Sequence, residues 1–164
     1  MTGGTLAAWC EVAADDALLI SIDLPGGRWG GENVTAEHLH RMRGLARANQ
    51  TVEFLRRDSH DIDTLAFVGE LLETQIDLLF IDGDHTYEGV RRDFEMYSPL
   101  VKPGGLIALH DILPHPDVPD CDVDRFWNDD VIALDGYFWE FCEPDEYHPT
   151  FGQWGGIGVL EVPA

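Results

Sequence analysis

Positive charge is scarce in this chain. Ten Lys and Arg stand against 31 Asp and Glu, a formal charge of −21 at pH 7. Binding to a phosphate backbone rests on Lys and Arg neutralising phosphates, so nucleic acid is excluded as an expected partner. The basic residues gather partly at Arg41, Arg43 and Arg47 and at Arg56-Arg57, and they read as solvated helix faces. Long apolar runs are also missing, each being broken by Asp or Gly within about ten residues, so no membrane span is expected. The segment Met1-Thr2-Gly3-Gly4-Thr5 has no basic stretch followed by a long apolar one, and a signal peptide is not expected. Cysteine is sparse: Cys10, Cys121 and Cys142 are scattered and odd in number. They make neither a disulfide framework nor a zinc spacing, which fits a reducing, cytoplasmic interior.

What is present is an alternation of helical periodicity with short apolar runs. Thr5 to Ala14 reads as a helix through Leu6, Trp9, Cys10 and Ala13, and Ala17 to Asp23 as a strand ending in an acid. A glycine-rich loop follows from Pro25 to Gly31. Thr35 is placed to cap a helix whose face carries Leu39, Met42, Leu45 and Ala46. Thr51 to Arg57 reads as a strand, and Asp61 to Glu73 as a helix using Leu65, Val68, Leu71 and Leu72. Ile76 to Ile81 is the next strand, and Glu88 to Leu100 a helix using Val90, Phe94 and Tyr97. Pro103-Gly104-Gly105 is expected to turn the chain into a strand at Leu106 to Leu109. A proline-rich acidic loop runs from Pro114 to Asp122, and Phe126-Trp127 mark a short helix. Tyr137 to Cys142 and Gly156 to Val162 are the last two strands. At 164 residues, with no repeat or linker, the pattern predicts one α/β domain over 1–164, with a largely parallel sheet.

The residues that carry chemistry end two of the apolar runs. Asp82-Gly83-Asp84-His85 follows Ile76 to Ile81, and His110-Asp111 follows Leu106 to Leu109. Ligands of open α/β sheets bind beyond the carboxyl ends of the strands. Two strands that should be neighbours would bring Asp82 and Asp111 towards one cation, and carboxylate oxygens suit magnesium or calcium better than zinc. His85 is the candidate base, because imidazole titrates near neutral pH.

Ile81-Asp82-Gly83-Asp84-His85-Thr86-Tyr87-Glu88-Gly89-Val90, with Asp93, Pro99-Leu100, Lys102-Pro103-Gly104-Gly105 and His110-Asp111-Ile112, resembles the class I S-adenosylmethionine-dependent methyltransferases. The nearest subgroup is the small-molecule and sugar O-methyltransferases. Phe126-Trp127 and Gly156-Ile157-Gly158-Val159 resemble later segments of that subgroup. The resemblance implies a Rossmann-like, mostly parallel sheet with helices on both faces, and methyl transfer to a hydroxyl of a small sugar-like or natural-product-like acceptor.

It also implies roles for single residues. Gly3-Gly4-Thr5 resembles the end of the glycine-rich motif that approaches the methionine part of S-adenosylmethionine, where a Cβ would block the backbone. Asp23 resembles the acid that accepts hydrogen bonds from the ribose hydroxyls, Asp58-Ser59 the segment flanking the adenine, and Asp82 lies at the cofactor's edge as well as at the metal. The implied metal ligands are Asp82, His110 and Asp111, holding magnesium or another divalent cation; His110 stands where a second acid is common. His85 and Asp82 are the implied catalytic pair. Trp29, Tyr147, His148 and Trp154 belong to loops able to close over the site.

One departure from the family pattern is large. The glycine motif of such proteins follows a central strand, and here Met1 already lies within the motif, so the first strand is expected to be absent and the domain N-terminally incomplete. Neighbouring strands lie about 4.8 Å apart, so the strands ending at Asp23 and Asp82 should face a gap near 10 Å or pair directly. A misassigned start, direct re-pairing, or a strand from a partner chain would each account for it, and the last leaves a homo-oligomer open. Two other functions stay open on the sequence: a non-catalytic methyltransferase-like domain acting in assembly or regulation, and a metal-dependent hydrolase.

Overall fold

Parallel ladders form where the chain is apolar and β-branched for about six residues, and these ladders place the strand-end candidates Asp23, Asp82, His110 and Asp111. The computed structural model describes residues 4–26, 35–47, 49–142, 147–148, 152–153 and 155–164. Two compact units divide the chain, Met1–Val68 and Gly69–Ala164.

In the first unit, α1 (Gly4–Val12) leads into β1 (Leu18–Asp23), α2 (Ala36–Arg43) into β2 (Thr51–Arg56), and α3 (Ile62–Leu71) begins at the unit's end. β1 and β2 pair in parallel from Leu18↔Thr51 to Asp23↔Arg56. Gln50, buried just before β2, donates through Nε2 to the carbonyls of Cys10 and Ala14, each at 2.9 Å. Arg47 donates to the carbonyl of Ala13 at 2.7 Å. A helix leaves its last carbonyls without intrahelical partners, and here two side chains from a distant segment supply them. α2 ends at Arg43, so Leu45 and Ala46 follow in a turn rather than extending the helical face as expected, while Met42 is buried. Arg41 and Arg43 lie exposed on α2 as expected, but the other arginines depart from solvated helix faces. Arg56 lies on a strand and pairs with Asp23, Arg57 stacks on Phe67 at 4.5 Å, and Arg47 also reaches Asp15.

In the second unit, β3 (Ile76–Ile81), α4 (Tyr87–Tyr97) and β4 (Val101–His110) are followed by the short α5 (Val123–Phe126) and a π-helical turn at Trp127–Val131. β5 (Tyr137–Phe141), the two-residue β6 (Tyr147–His148) and β7 (Gly152–Gln153), and β8 (Ile157–Glu161) complete it. The strand order is β3-β4-β8-β5, with β3 and β4 parallel and β8 antiparallel to both β4 and β5. This is the α/β architecture that the strand–helix alternation predicts, Rossmann-like as the resemblance implies, although in this sheet only β3 and β4 pair in parallel instead of the largely parallel pairing expected. Pro103-Gly104-Gly105 lies inside β4 instead of turning the chain ahead of it. Ile76 faces Val101 but Leu78 faces Leu106, so β4 pushes extra residues out of the ladder. Gly104 takes φ +73° there, and its N–H donates to the carbonyl of Val162 at 2.8 Å.

The described strands fall into separate sheets. Among the described residues β1 pairs only with β2, and β3 only with β4. β1 stays half-buried along Leu19 to Asp23, although a strand central to a parallel sheet is covered on both faces.

The core of the second unit gathers Ile81, Val90, Val101, Ile107, Leu109, Ile112, Val123, Phe126, Trp127, Val131 and Leu160. Trp127 is fully buried, and its indole N–H donates to Glu140 Oε1 at 2.7 Å. Its ring lies flat on the backbone of β8, where a Cβ built on Gly158 would stand 2.7 Å from the indole. Gly158→Ala is therefore expected to cost about 1–3 kcal/mol, because nothing around a fully buried indole can give way. At exposed Gly69 in α3 a Cβ meets nothing within 4 Å, so Gly69→Ala is expected to stabilise by about 0.5–1 kcal/mol. Denaturant midpoints measured for both variants check the contrast.

Candidate active site

β3 and β4 run side by side through Phe80↔Ala108 and Ile81↔Leu109, so the residues following each strand emerge at the same end of the sheet. There Asp82, His85, His110 and Asp111 converge, with one potential ligand atom of each lying within 4.8 Å of all the others. The His85 Nε2 is 3.0 Å from Asp111 Oδ2 and 3.4 Å from Asp82 Oδ1. The His110 Nδ1 is 3.0 Å from Asp111 Oδ1 and 3.5 Å from Asp82 Oδ1.

Local chemistry explains how each group is held. Asp111 takes φ +63°, a conformation non-glycine residues rarely adopt. Its N–H donates to the carbonyl of Gly156 at 3.0 Å, and that of Leu113 to Gly155 at 3.1 Å, so the lead into β8 holds the strained turn in place. On the other strand, Asp84 has a structural task. Its carboxylate accepts from the N–H of Thr86, and the Thr86 hydroxyl in turn caps α4 by accepting from Gly89. A Cβ at Gly89 would overlap the Asp84 side chain. Asp93, quoted with the motif but given no role from sequence, is buried against Gly83.

Charge at the cluster shifts the protonation of His85, His110 and Asp111. Burial alone would lower the His85 pKa, but its contacts with Asp111 and Asp82 outweigh that and raise it to about 9. His110 is raised chiefly by Asp111. Burial would raise the Asp111 carboxyl, yet the two imidazoles hold it well below the usual carboxylate range. Although His110 Nδ1 and Asp111 Oδ1 lie at ion-pair distance, both are buried without a hydrogen-bond partner, so closeness here is not bonding geometry. Donor atoms gathered on one point in this way are what a cation requires.

The other residues expected at a site fall in the first unit. Gly4 and Thr5 open α1. Asp23 ends β1 and pairs through Oδ2 with Arg56 at 2.9 Å. Asp58 and Ser59 follow β2, the same end of the β1–β2 pair, and Asp58 accepts from the N–H of His60. Gly3, Trp29 and Trp154 lie outside the described residues, as do the side chains of Tyr147 and His148.

Two residues near Asp111 escaped sequence reasoning. The His115 Nε2 lies 3.5 Å from Asp111 Oδ1, and Cys121 joins the same group of potential ligands. Their spacing carries no recognised signature, and only the turns of the loop bring them together.

The protonation pattern predicts a stability profile for the cation-free protein. A histidine whose pKa is raised on folding stabilises fully below its unfolded value near 6.5, and that contribution is lost as pH rises through the folded value. Stability should therefore fall by about 2 kcal/mol between pH 6.5 and 9. Asp111, with its pKa lowered, contributes above the ordinary carboxylate pKa and acts oppositely at acid pH. Urea denaturation across this range checks the prediction, and His85→Gln should flatten the alkaline limb.

Known proteins share this architecture. The TomG O-methyltransferase of Streptomyces achromogenes, solved with SAM and involved in tomaymycin synthesis, superimposes with a TM-score of 0.58 at 17% identity, covering 99% of this chain and 79% of that one. An O-methyltransferase of Bacillus cereus, solved with SAH, gives 0.54 at 16% identity, covering 97% and 80%. The uncharacterized protein R132 of Acanthamoeba polyphaga mimivirus is 40% identical over 60 residues, which is 37% of this chain and only 27% of that protein's length. The match thus spans about a quarter of that relative's length. A family model described as a methyltransferase domain matches residues 1–112, more than half of the chain, and the chain belongs to that family.

Proposed function

We propose that residues 1–164 act as one S-adenosylmethionine-dependent methyltransferase domain that methylates a hydroxyl of a small acceptor with help from a divalent cation. The observation that carries this reading is the convergence of Asp82, His85, His110 and Asp111 at the carboxyl ends of two parallel strands, within a methyltransferase-family chain. The cation fits the residues present: two carboxylates and two imidazoles surround one point, and Asp111 Oδ1 is buried there with no hydrogen-bond partner. Asp82, His110 and Asp111 would hold it, the two acids suiting magnesium and His110 favouring a metal such as manganese. When bound, it supplies charge that lowers the pKa of an acceptor hydroxyl.

The methyl donor would take Gly4 and Thr5 at the start of α1 together with Gly3 of the same motif, Asp23 for its ribose, Asp58 and Ser59 beside its adenine, and Asp82 at its edge. Asp23 fits as an acceptor that Arg56 orients through one oxygen. His85 is the base, turned towards the acids by Nε2 and holding the acceptor's proton once it is taken. Because Asp82 and Asp111 raise its proton affinity, His85 accepts that proton readily but must first be neutral. The rate should therefore climb with pH until His85 has lost its proton, at a lower pH in the presence of cation than without it. The charge of −21 supports a small acceptor over nucleic acid, and the free cysteines fit a reducing, cytoplasmic setting.

Among the described residues β1 and β3 each pair with a single strand, which favours one other reading, a methyltransferase-like domain that serves assembly instead of catalysis. Calorimetry separates the two. The catalytic reading predicts that the protein binds S-adenosylmethionine with heat, and that Asp23→Ala weakens it at least about tenfold, the loss of one charge-assisted hydrogen-bond acceptor. No heat with the wild-type protein contradicts it. On an acceptor that turns over, His85→Ala should lower kcat by about 10²–10⁴-fold while leaving donor affinity in place.

A further inference from the structure

We propose that Asp111, His115 and Cys121 form a second cation site, suited to zinc, which fastens the proline-rich loop to the end of β4. One ligand atom from each of the three lies within 4.8 Å of the others. The loop is folded to bring them there by two consecutive turns: the N–H of Val118 donates to the carbonyl of His115 at 3.0 Å, and that of Cys121 to Val118 at 2.9 Å. The backbone then continues to the N–H of Asp122, which donates to the carbonyl of His85 at 2.9 Å.

The donor chemistry is that of a ligand set. The Nδ1 of His115 lies 2.7 Å from the carbonyl of Leu113. A carbonyl only accepts, so Nδ1 carries the proton and Nε2 presents its lone pair, the arrangement that orients metal-bound imidazoles. That lone pair faces Asp111 Oδ1 at 3.5 Å, with the N–H of Gly155 reaching it at a long 3.4 Å. Asp111 is buried, 11% exposed at its side chain, and its Oδ1 has no hydrogen-bond partner. Cys121 is equally buried and abuts the apolar core. A set of one sulfur, one imidazole and one carboxylate is foreign to magnesium and calcium, which take oxygen, and matches zinc, leaving a fourth position open. Binding replaces the S–H bond of Cys121 with a Zn–S bond and releases the proton to solvent. Asp111 belongs to both clusters: its Oδ2 faces His85 at 3.0 Å, and its Oδ1 stands between His110 at 3.0 Å and His115 at 3.5 Å.

Cobalt, which replaces zinc and shows thiolate ligation by a charge-transfer band, provides the test. The metal-free protein titrated with Co²⁺ should develop that band, and Zn²⁺ should abolish it. Cys121→Ser should lose the band, Cys142→Ser should keep it, and His115→Gln should weaken zinc binding by at least about tenfold. Zinc-edge X-ray absorption of the wild-type protein, which needs no variant to fold, should show one sulfur at roughly 2.3 Å. A wild-type protein without the band, a band that survives Cys121→Ser, or a zinc shell of oxygen and nitrogen alone overturns the proposal. None of these readouts involves S-adenosylmethionine or turnover, so they stand or fall apart from methyl transfer.

Discussion

The parallel pairing of β3 with β4 is the constraint on which the candidate site depends. It sets the last residues of two apolar strands at one rim, where Asp82 on one side meets His110 and Asp111 on the other. Two acids this close would repel unless countered, and His85 stands between them. The cluster is stable because imidazolium and carboxylate offset one another, and that same balance makes it responsive to a cation that competes for the carboxylates. Structure and chemistry are therefore coupled through protons.

Much of this was legible in the sequence, for identifiable reasons. Strand ends could be read because each apolar run is closed by charge, and the α4 face because Val90, Phe94 and Tyr97 recur at helical spacing. The neighbouring placement of Asp82 and Asp111 followed from strand–helix alternation. What stayed hidden depends on tertiary geometry. Pro103-Gly104-Gly105 has the composition of a turn, yet the hydrogen bond of Gly104 to Val162 keeps it inside β4. The left-handed turn at Asp111 is imposed by the strand that follows much later in the chain. His115 and Cys121 reach Asp111 only through two loop turns.

The first unit shows the same division. Asp23 was readable as a strand-end acid, but its partner was not, because Arg56 meets it only when β1 and β2 align in register. Gln50 likewise looks unremarkable in sequence and turns out to close the end of α1. Among the described residues β1 pairs only with β2, and β3 only with β4.

The most direct test of the shared rim is a ¹⁵N NMR titration of the imidazoles in cation-free protein. The account predicts that His85 loses its proton only near pH 9, and that Asp111→Asn moves it well down towards the ordinary histidine range. A wild-type His85 that titrates near pH 6.5, or one indifferent to Asp111→Asn, would show that the two strands do not bring these groups together.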